Sequence, residues 1–257
     1  MFCLGKTDVG MKRTVNQDSF KITEFNSTTV LAVVCDGMGG AAGGGIAGKL
    51  AADTFTEYVK NHSKDFCKKK MLSRLDEGRI RSILKTAVQE ANEAVYRKAN
   101  EDPTLQGMGT TLVAVLICCK AIFTVNVGDS RMYLISDESI RQITHDHSYV
   151  QFLVDTGRIS EEEAKKSHNR NIITRAVGTD ISVEADVFLS KAIEGNYILL
   201  CSDGLVNYVA PDAIFKAVHS TEEKAGEAML EECVDTLILS ANTAGGSDNI
   251  TAVMVAL

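Results

Sequence analysis

The chain has 257 residues, 45% of them hydrophobic, with a net charge of −7 and a pI near 5.3. That size suits one large domain or two small ones around a substantial core, and with only two prolines and no low-complexity tract there is no sign of a flexible linker. The acidic balance disfavours nucleic acid as the main partner, and no apolar run reaches membrane-spanning length or forms a signal-peptide core.

Residues 2–6 read as a first strand, and the polar stretch 11–17 leads into Asp18. Residues 19–25 form a second strand, Asn26-Ser27-Thr28 a turn, and a third strand starts at Thr29. Its continuous apolar run, Leu31 to Cys35, predicts burial on both faces and ends in Asp36. An antiparallel hairpin centred on Ser27 sets Asp18 opposite Asp36. Opposed like charges destabilise a sheet unless a cation sits between them.

The glycine-rich stretch after Asp36 mimics two nucleotide motifs. Gly37-x-Gly39-x-x-Ala42 would bring a diphosphate against Asp36, and Gly43-x-x-x-x-Gly48-Lys49 is followed by Leu50, not the hydroxyl that binds Mg²⁺. Both are rejected. Residues 46–59 and 77–100 carry helical periodicity. Residues 110–118, 122–127, 132–135 and 140–143 read as an antiparallel meander, with Gly128-Asp129 at one of its turns. His145-Asp146-His147-Ser148 offers alternating histidines, but with no further ligand of that kind nearby a metal reading is set aside.

Helical patterns flank Thr156-Gly157-Arg158 within 149–171. Strands follow at 183–189 and 197–201, the second ending in Ser202-Asp203-Gly204. A helix starts after Pro211 at Asp212, another covers 222–241, and Ser247-Asp248-Asn249 opens a last strand at 250–257. Strands in two runs, each followed by helices, predict an α+β fold of two antiparallel sheets with helices outside. Asp18, Asp36, Asp203 and Asp248 at strand ends make an oxygen-only site suited to Mg²⁺ or Mn²⁺ rather than zinc. The seven cysteines include no C-x-x-C pair, and Cys35, Cys118, Cys119 and Cys201 fall in apolar strand patterns. They read as reduced core residues of a cytoplasmic protein, unless the chain is a piece of a longer, membrane-anchored one. Lys68-Lys69-Lys70 reads as a solvated loop.

Six motifs occur in order: Arg13-Thr14-Val15-Asn16-Gln17-Asp18, Asp36-Gly37-Met38-Gly39-Gly40, Gly109-Thr110-Thr111, Val127-Gly128-Asp129-Ser130-Arg131, Ser202-Asp203-Gly204 and Ser247-Asp248-Asn249. Together they resemble the metal-dependent type 2C protein serine/threonine phosphatases in their short bacterial form, over essentially the whole chain. The resemblance implies a four-layer α-β-β-α sandwich with the metal site at one end between the sheets. It implies a single catalytic domain over 1–257, with a flap at about 148–175.

By the same resemblance, Asp18, Asp36, Asp203, Asp248 and the main-chain carbonyl of Gly37 hold two Mn²⁺ or Mg²⁺ ions that activate a water. Asp129 with Asp203 holds a weaker third ion, and Arg13 binds the phosphate. Phosphoserine and phosphothreonine proteins are the implied substrates, a cognate Ser/Thr kinase the implied counterpart, and a monomer in the cytoplasm the implied state, with no nucleic acid or membrane partner. Animal relatives carry histidine at the place of Met38 as a proposed general acid, so the proton donor here must be another group. A phosphoprotein-binding pseudophosphatase should have lost a metal carboxylate, and all are present. A hydrolase of small phosphate esters is the other rival, which substrate comparison separates.

Overall fold

The computed structural model describes residues 1–66, 76–118, 120–191, 197–220 and 226–257, so Lys68-Lys69-Lys70 and Cys119 lie outside the described residues. One antiparallel sheet runs through β1 (Phe2–Asp8), β11 (Ile250–Ala256), β10 (Tyr197–Cys201), β7 (Arg131–Ile135) and β8 (Ile140–Gln142). The other runs through β2 (Asp18–Asn26), β3 (Thr29–Met38), β5 (Leu112–Cys118), β6 (Ala121–Val127) and β9 (Asp186–Lys191), with the short β4 (Gly109–Thr110) on the end of β3.

Period-two alternation divides the apolar side chains among three layers. In β3, Ala32 and Val34 join Val113, Val115, Leu200 and Val253 between the sheets. Leu31, Val33 and Cys35 point the other way, into a core with α1 (Gly40–Asn61) and α2 (Glu77–Glu101). On the far side, Leu199, Ala252 and Met254 pack beneath α6 (Pro211–Ser220) and α7 (Glu227–Thr243). The result is the expected four-layer α-β-β-α sandwich. Strands buried on both faces need side chains that are apolar throughout, which is why the sequence runs lack alternation.

Four expectations are corrected. First, the hairpin tip is a two-residue turn at Ser27-Thr28, where Asn26 Oδ1 accepts from Thr28 N at 2.9 Å, and the register shifts between Glu24 and Asn26. From Glu24 back to Asp18 the pairing is as predicted, and Asp18 faces Asp36.

Second, α1 begins at Gly40 rather than at 46, with glycines 43, 44, 45 and 48 inside it. Glycine is a poor helix former, but here tertiary contact decides. A Cβ on Gly44 would lie 2.7 Å from the Gly37 carbonyl group, and one on Gly37 would lie 2.0 Å from Gly44 O. Only bare backbone lets the helix reach the end of β3.

Third, the meander splits. β6 pairs with β5 and β9, while β7 pairs with β8 and β10 in the other sheet. Gly128, at φ +104°, turns the chain across the gap and sets Asp129 between the layers. Fourth, boundaries move: α6 includes Pro211, β9 starts at Asp186, and the described part of α7 starts at Glu227, with 222–225 outside the described residues. Within 148–175, α3 (Tyr149–Asp155) and α4 (Glu161–Lys166) lie on either side of Thr156-Gly157-Arg158, where helical patterns were expected. Cys35 and Cys201 are buried free thiols, and Cys118 is buried in β5. Among the described residues, no helix is long and apolar enough to cross a membrane.

Candidate metal and phosphate site

At one end of the sandwich the strand termini open a cavity of about 500 Å³, lined by Arg13, Asp36, Gly37, Asp129, Asp203 and Asp248. Met38 and two residues of the 148–175 segment, Asn171 and Ile173, also line it. Asp36 lies near the end of β3, and Asp203 opens the four-residue α5 (Asp203–Val206). Asp248 sits just ahead of β11, and Asp129 lies in the turn that crosses between sheets. Asp18 does not line the cavity. It lies behind Asp36 as the first residue of β2.

The backbone of Asp36 is held on both sides. Its N–H donates to Thr111 Oγ1 at 2.9 Å, and its carbonyl accepts from Thr110 Oγ1 and Thr111 N, both at 2.9 Å. Thr111 Oγ1 also meets Ser130 Oγ at 2.7 Å, tying the crossing turn to the same point. Asp18 Oδ2 accepts from Ser202 Oγ at 2.8 Å and Thr251 Oγ1 at 2.7 Å. Asp203 Oδ2 accepts from Asn207 Nδ2 at 3.0 Å.

The other oxygen of each of these two carboxylates, Asp18 Oδ1 and Asp203 Oδ1, is buried with no protein partner. A buried carboxylate oxygen without a donor is costly, and a cation removes the cost. An all-oxygen donor set suits a hard divalent ion such as Mn²⁺ or Mg²⁺. Among the described residues no three of these groups close into a preformed ligand shell; Asp36, Asp129, Asp203 and Asp248 line one cavity, and Asp18 is paired with Asp36.

The electrostatics point the same way. Burial, reinforced by Asp18, Asp203, Asp129 and Asp248, holds the Asp36 carboxyl well above the ordinary carboxylate range. Burial lifts Asp18 to about 6 even against the hydrogen bonds from Thr251 and Ser202, and burial with Asp203 lifts Asp129 to about 8. Asp203 is raised by burial and by Asp248.

Carboxyls with raised pKa bind protons more tightly folded than unfolded. Their stabilisation is complete below the unfolded value, near pH 4, and is lost as pH rises through the folded values. Protein kept in chelator should therefore melt at progressively lower temperature from about pH 5 to about pH 8, and Mn²⁺ should reverse the loss at the upper end. Calorimetry over that range checks it, and a melting temperature unaffected by pH would contradict it.

Arg13 sits on the exposed loop between β1 and β2 and donates from Nη2 to Asp248 Oδ2 at 2.9 Å. That bond raises its already high pKa. With its side chain 52% exposed, this pair is worth at most about 1 kcal/mol, so an incoming phosphate can displace it at small cost.

The two ends of the 148–175 segment are hydrogen-bonded to each other. Thr174 N donates to His147 O and Tyr149 N to Ile172 O, both at 2.7 Å. His145, Asp146 and His147 serve three different partners. Asp146 Oδ2 accepts from Arg131 Nη2 at 2.6 Å, His145 Nε2 meets Asp155 at 2.8 Å, and His147 Nδ1 accepts from Gly128 N at 3.1 Å. The structure thus brings every sequence-predicted site residue to one end of the sandwich. Roles that sequence reading missed belong to Thr110, Thr111, Ser202 and Thr251, which hold the aspartates. The first three lie inside motifs noted above, where only their order was informative.

Fold and site together define a metal-dependent phosphatase. The chain belongs to the protein phosphatase 2C family, whose profile matches residues 11–237. More narrowly, it is a protein serine/threonine phosphatase. It is 36% identical over 253 residues to the serine/threonine phosphatase stp of Listeria welshimeri, covering 97% of this chain and 93% of that protein. Among solved structures, it is similar to the serine/threonine phosphatase Stp1 from Staphylococcus aureus, with a TM-score of 0.86, 34% identity, and coverage of 100% of this chain and 95% of that one. It is also similar to the catalytic domain of the serine/threonine protein phosphatase PstP in complex with two manganese ions, with a TM-score of 0.77, 32% identity, and coverage of 98% and 96%.

Proposed function

We propose that the chain hydrolyses phosphoserine and phosphothreonine in proteins at a binuclear Mn²⁺ or Mg²⁺ centre held by Asp18, Asp36, Asp203, Asp248 and the carbonyl of Gly37. The single observation that carries this reading is the end-of-sheet cavity that gathers Asp36, Asp203 and Asp248 beside the guanidinium of Arg13, with Asp18 paired to Asp36 and orphaned oxygens on Asp18 and Asp203. Likeness to PstP with its two manganese ions supports it. Divalent cations bound there supply Lewis acidity, making water a nucleophile near neutral pH and offsetting the charge of the phosphate.

Arg13 leaves Asp248 and takes the phosphate oxygens in its two-pronged fork. Asp129, with Asp203, would hold a weaker third ion, which would supply an acidified water as proton donor. Met38 lines the cavity but has no proton to give. A covalent phosphoenzyme is not expected, because Cys35 and Cys201 are buried and burial pushes the Cys201 thiol up to about 12. The whole chain acts as one catalytic domain with its flap at about 148–175, as a monomer in the cytoplasm, opposite a Ser/Thr kinase.

The test is phosphate release from phosphothreonine peptides with Mn²⁺, set beside a small phosphate ester under the same conditions. Efficient peptide turnover is expected. Turnover of the small ester alone would favour the ester-hydrolase reading. Arg13→Ala should mainly raise KM for the phosphopeptide, and Arg13→Lys should restore it only in part, since one ammonium cannot replace the fork. An unchanged KM in Arg13→Ala would return this residue to an ordinary surface charge.

A further inference from the structure

Asn249 follows a candidate metal ligand and precedes β11, and it is 4% exposed. Its side chain is spent on main chain. Oδ1 accepts from Gln17 N at 2.8 Å, while Nδ2 donates to Val9 O at 2.9 Å and Val15 O at 3.0 Å. One N–H donor facing oxygen and two carbonyls facing nitrogen admit a single orientation of the amide. These contacts bracket the segment that carries Arg13.

Residues 9–17 pair with no strand, and 11–15 are exposed. Further ties include Gly10 N to Asp8 Oδ1 at 2.8 Å, Met11 N to Gly246 O at 2.7 Å, Asn16 Nδ2 to Thr7 Oγ1 at 2.8 Å and Gln17 Nε2 to Gly40 O at 2.5 Å. Among the described residues, Asn249 is the side chain that holds the loop at Val9 and again at Val15 and Gln17. Its own N–H donates to Asp248 Oδ1 at 2.9 Å, leaving Oδ2 for Arg13.

We propose that Asn249 is a positioning residue for phosphate capture: it clips both ends of the 9–17 loop so that Arg13 is presented to the cavity before substrate arrives. This inference rests on the reading of Arg13 as the phosphate-binding residue. A guanidinium on an unclipped loop must be ordered at each binding event, and that entropy is subtracted from affinity. Held in place, it binds with the ordering already done.

The test compares wild type, Arg13→Ala, Asn249→Ala and the double variant at saturating Mn²⁺. The readouts are KM and kcat for a phosphothreonine peptide and competitive inhibition by inorganic phosphate. Each single variant should raise KM and the phosphate inhibition constant about tenfold, with a smaller change in kcat. Residues acting through one another are non-additive, so the double variant should be no worse than the worse single.

A second readout needs no turnover. In metal-free protein, Asn249→Ala should speed hydrogen exchange of the 9–17 amides while β11 stays protected. If Asn249→Ala does not fold, the milder Asn249→Ser goes through the same measurements. Normal KM and exchange in the Asn249 variant, beside a raised KM in Arg13→Ala, would overturn the clip alone. So would additive losses, or a fall in kcat and melting temperature with KM unchanged. If Arg13→Ala itself leaves KM and phosphate inhibition unchanged, the Arg13 reading fails and the clip falls with it.

Discussion

Asp36→Asn should give a folded protein whose kcat on a phosphothreonine peptide falls by well over about a hundredfold, even at saturating Mn²⁺. Loss of an outer-shell partner of a metal ligand typically costs about 10–100-fold, and a residue that gives a ligand oxygen should cost more. Asp36 is the most central of the carboxylates: it faces Asp18 across the strand pair, and all four other aspartates of the site raise its pKa. Asn matches its shape, and Thr110 and Thr111 fix its backbone whatever the side chain. Removing one of several like charges should also leave the metal-free protein no less stable, while the rise in melting temperature on adding Mn²⁺ shrinks. Asp248→Asn should act in the same direction. Near-normal kcat in Asp36→Asn at saturating metal would remove it from the ligand set.

Asp129→Ala should separate two substrates. A serine or threonine alkoxide is a poor leaving group and needs a proton as the P–O bond breaks, whereas p-nitrophenolate leaves without one. Met38 lines the cavity and cannot donate. Asp129, 9% exposed and set in the crossing turn, lines the same cavity and is proposed to organise the proton supply there. General-acid catalysis is worth about 10²–10⁴ in rate, so kcat for the phosphothreonine peptide should fall by that order, with far less loss for p-nitrophenyl phosphate. Both are measured at saturating Mn²⁺ with chemistry shown to be rate-limiting. Equal losses would leave Asp129 a general metal-site or structural residue.

Much of this site was legible because strand register is rigid. Once Asp18 and Asp36 sit on one hairpin, the period of two leaves little freedom in how they meet, and an error at the Asn26 tip was absorbed by the shift after Glu24. The split meander was not legible. Two short strands joined by Gly128-Asp129-Ser130 read as a hairpin, and only pairing with distant β10 and β9 assigns them to different sheets. The early start of α1 was hidden because local propensity argues against glycines in a helix, while the close approach to Gly37 that demands them is a tertiary fact. Asn249 was visible as part of the Ser247-Asp248-Asn249 motif, but its role was not, since its partners lie more than 230 residues away.

The aspartates are shared between the layers. Asp18 and Asp36 belong to one sheet, Asp203 and Asp248 adjoin strands of the other, and Asp129 lies on the chain that passes between them. On the proposed ligand set, a cation gripped from both sides would be a rivet through the sandwich. Pulling the sheets apart would require releasing it first, so the metal should act more on how slowly the protein comes undone than on how fast it assembles. In that sense the proposed catalytic centre would also be the fastener of the fold, and a cell short of metal would hold an enzyme both idle and quicker to unravel.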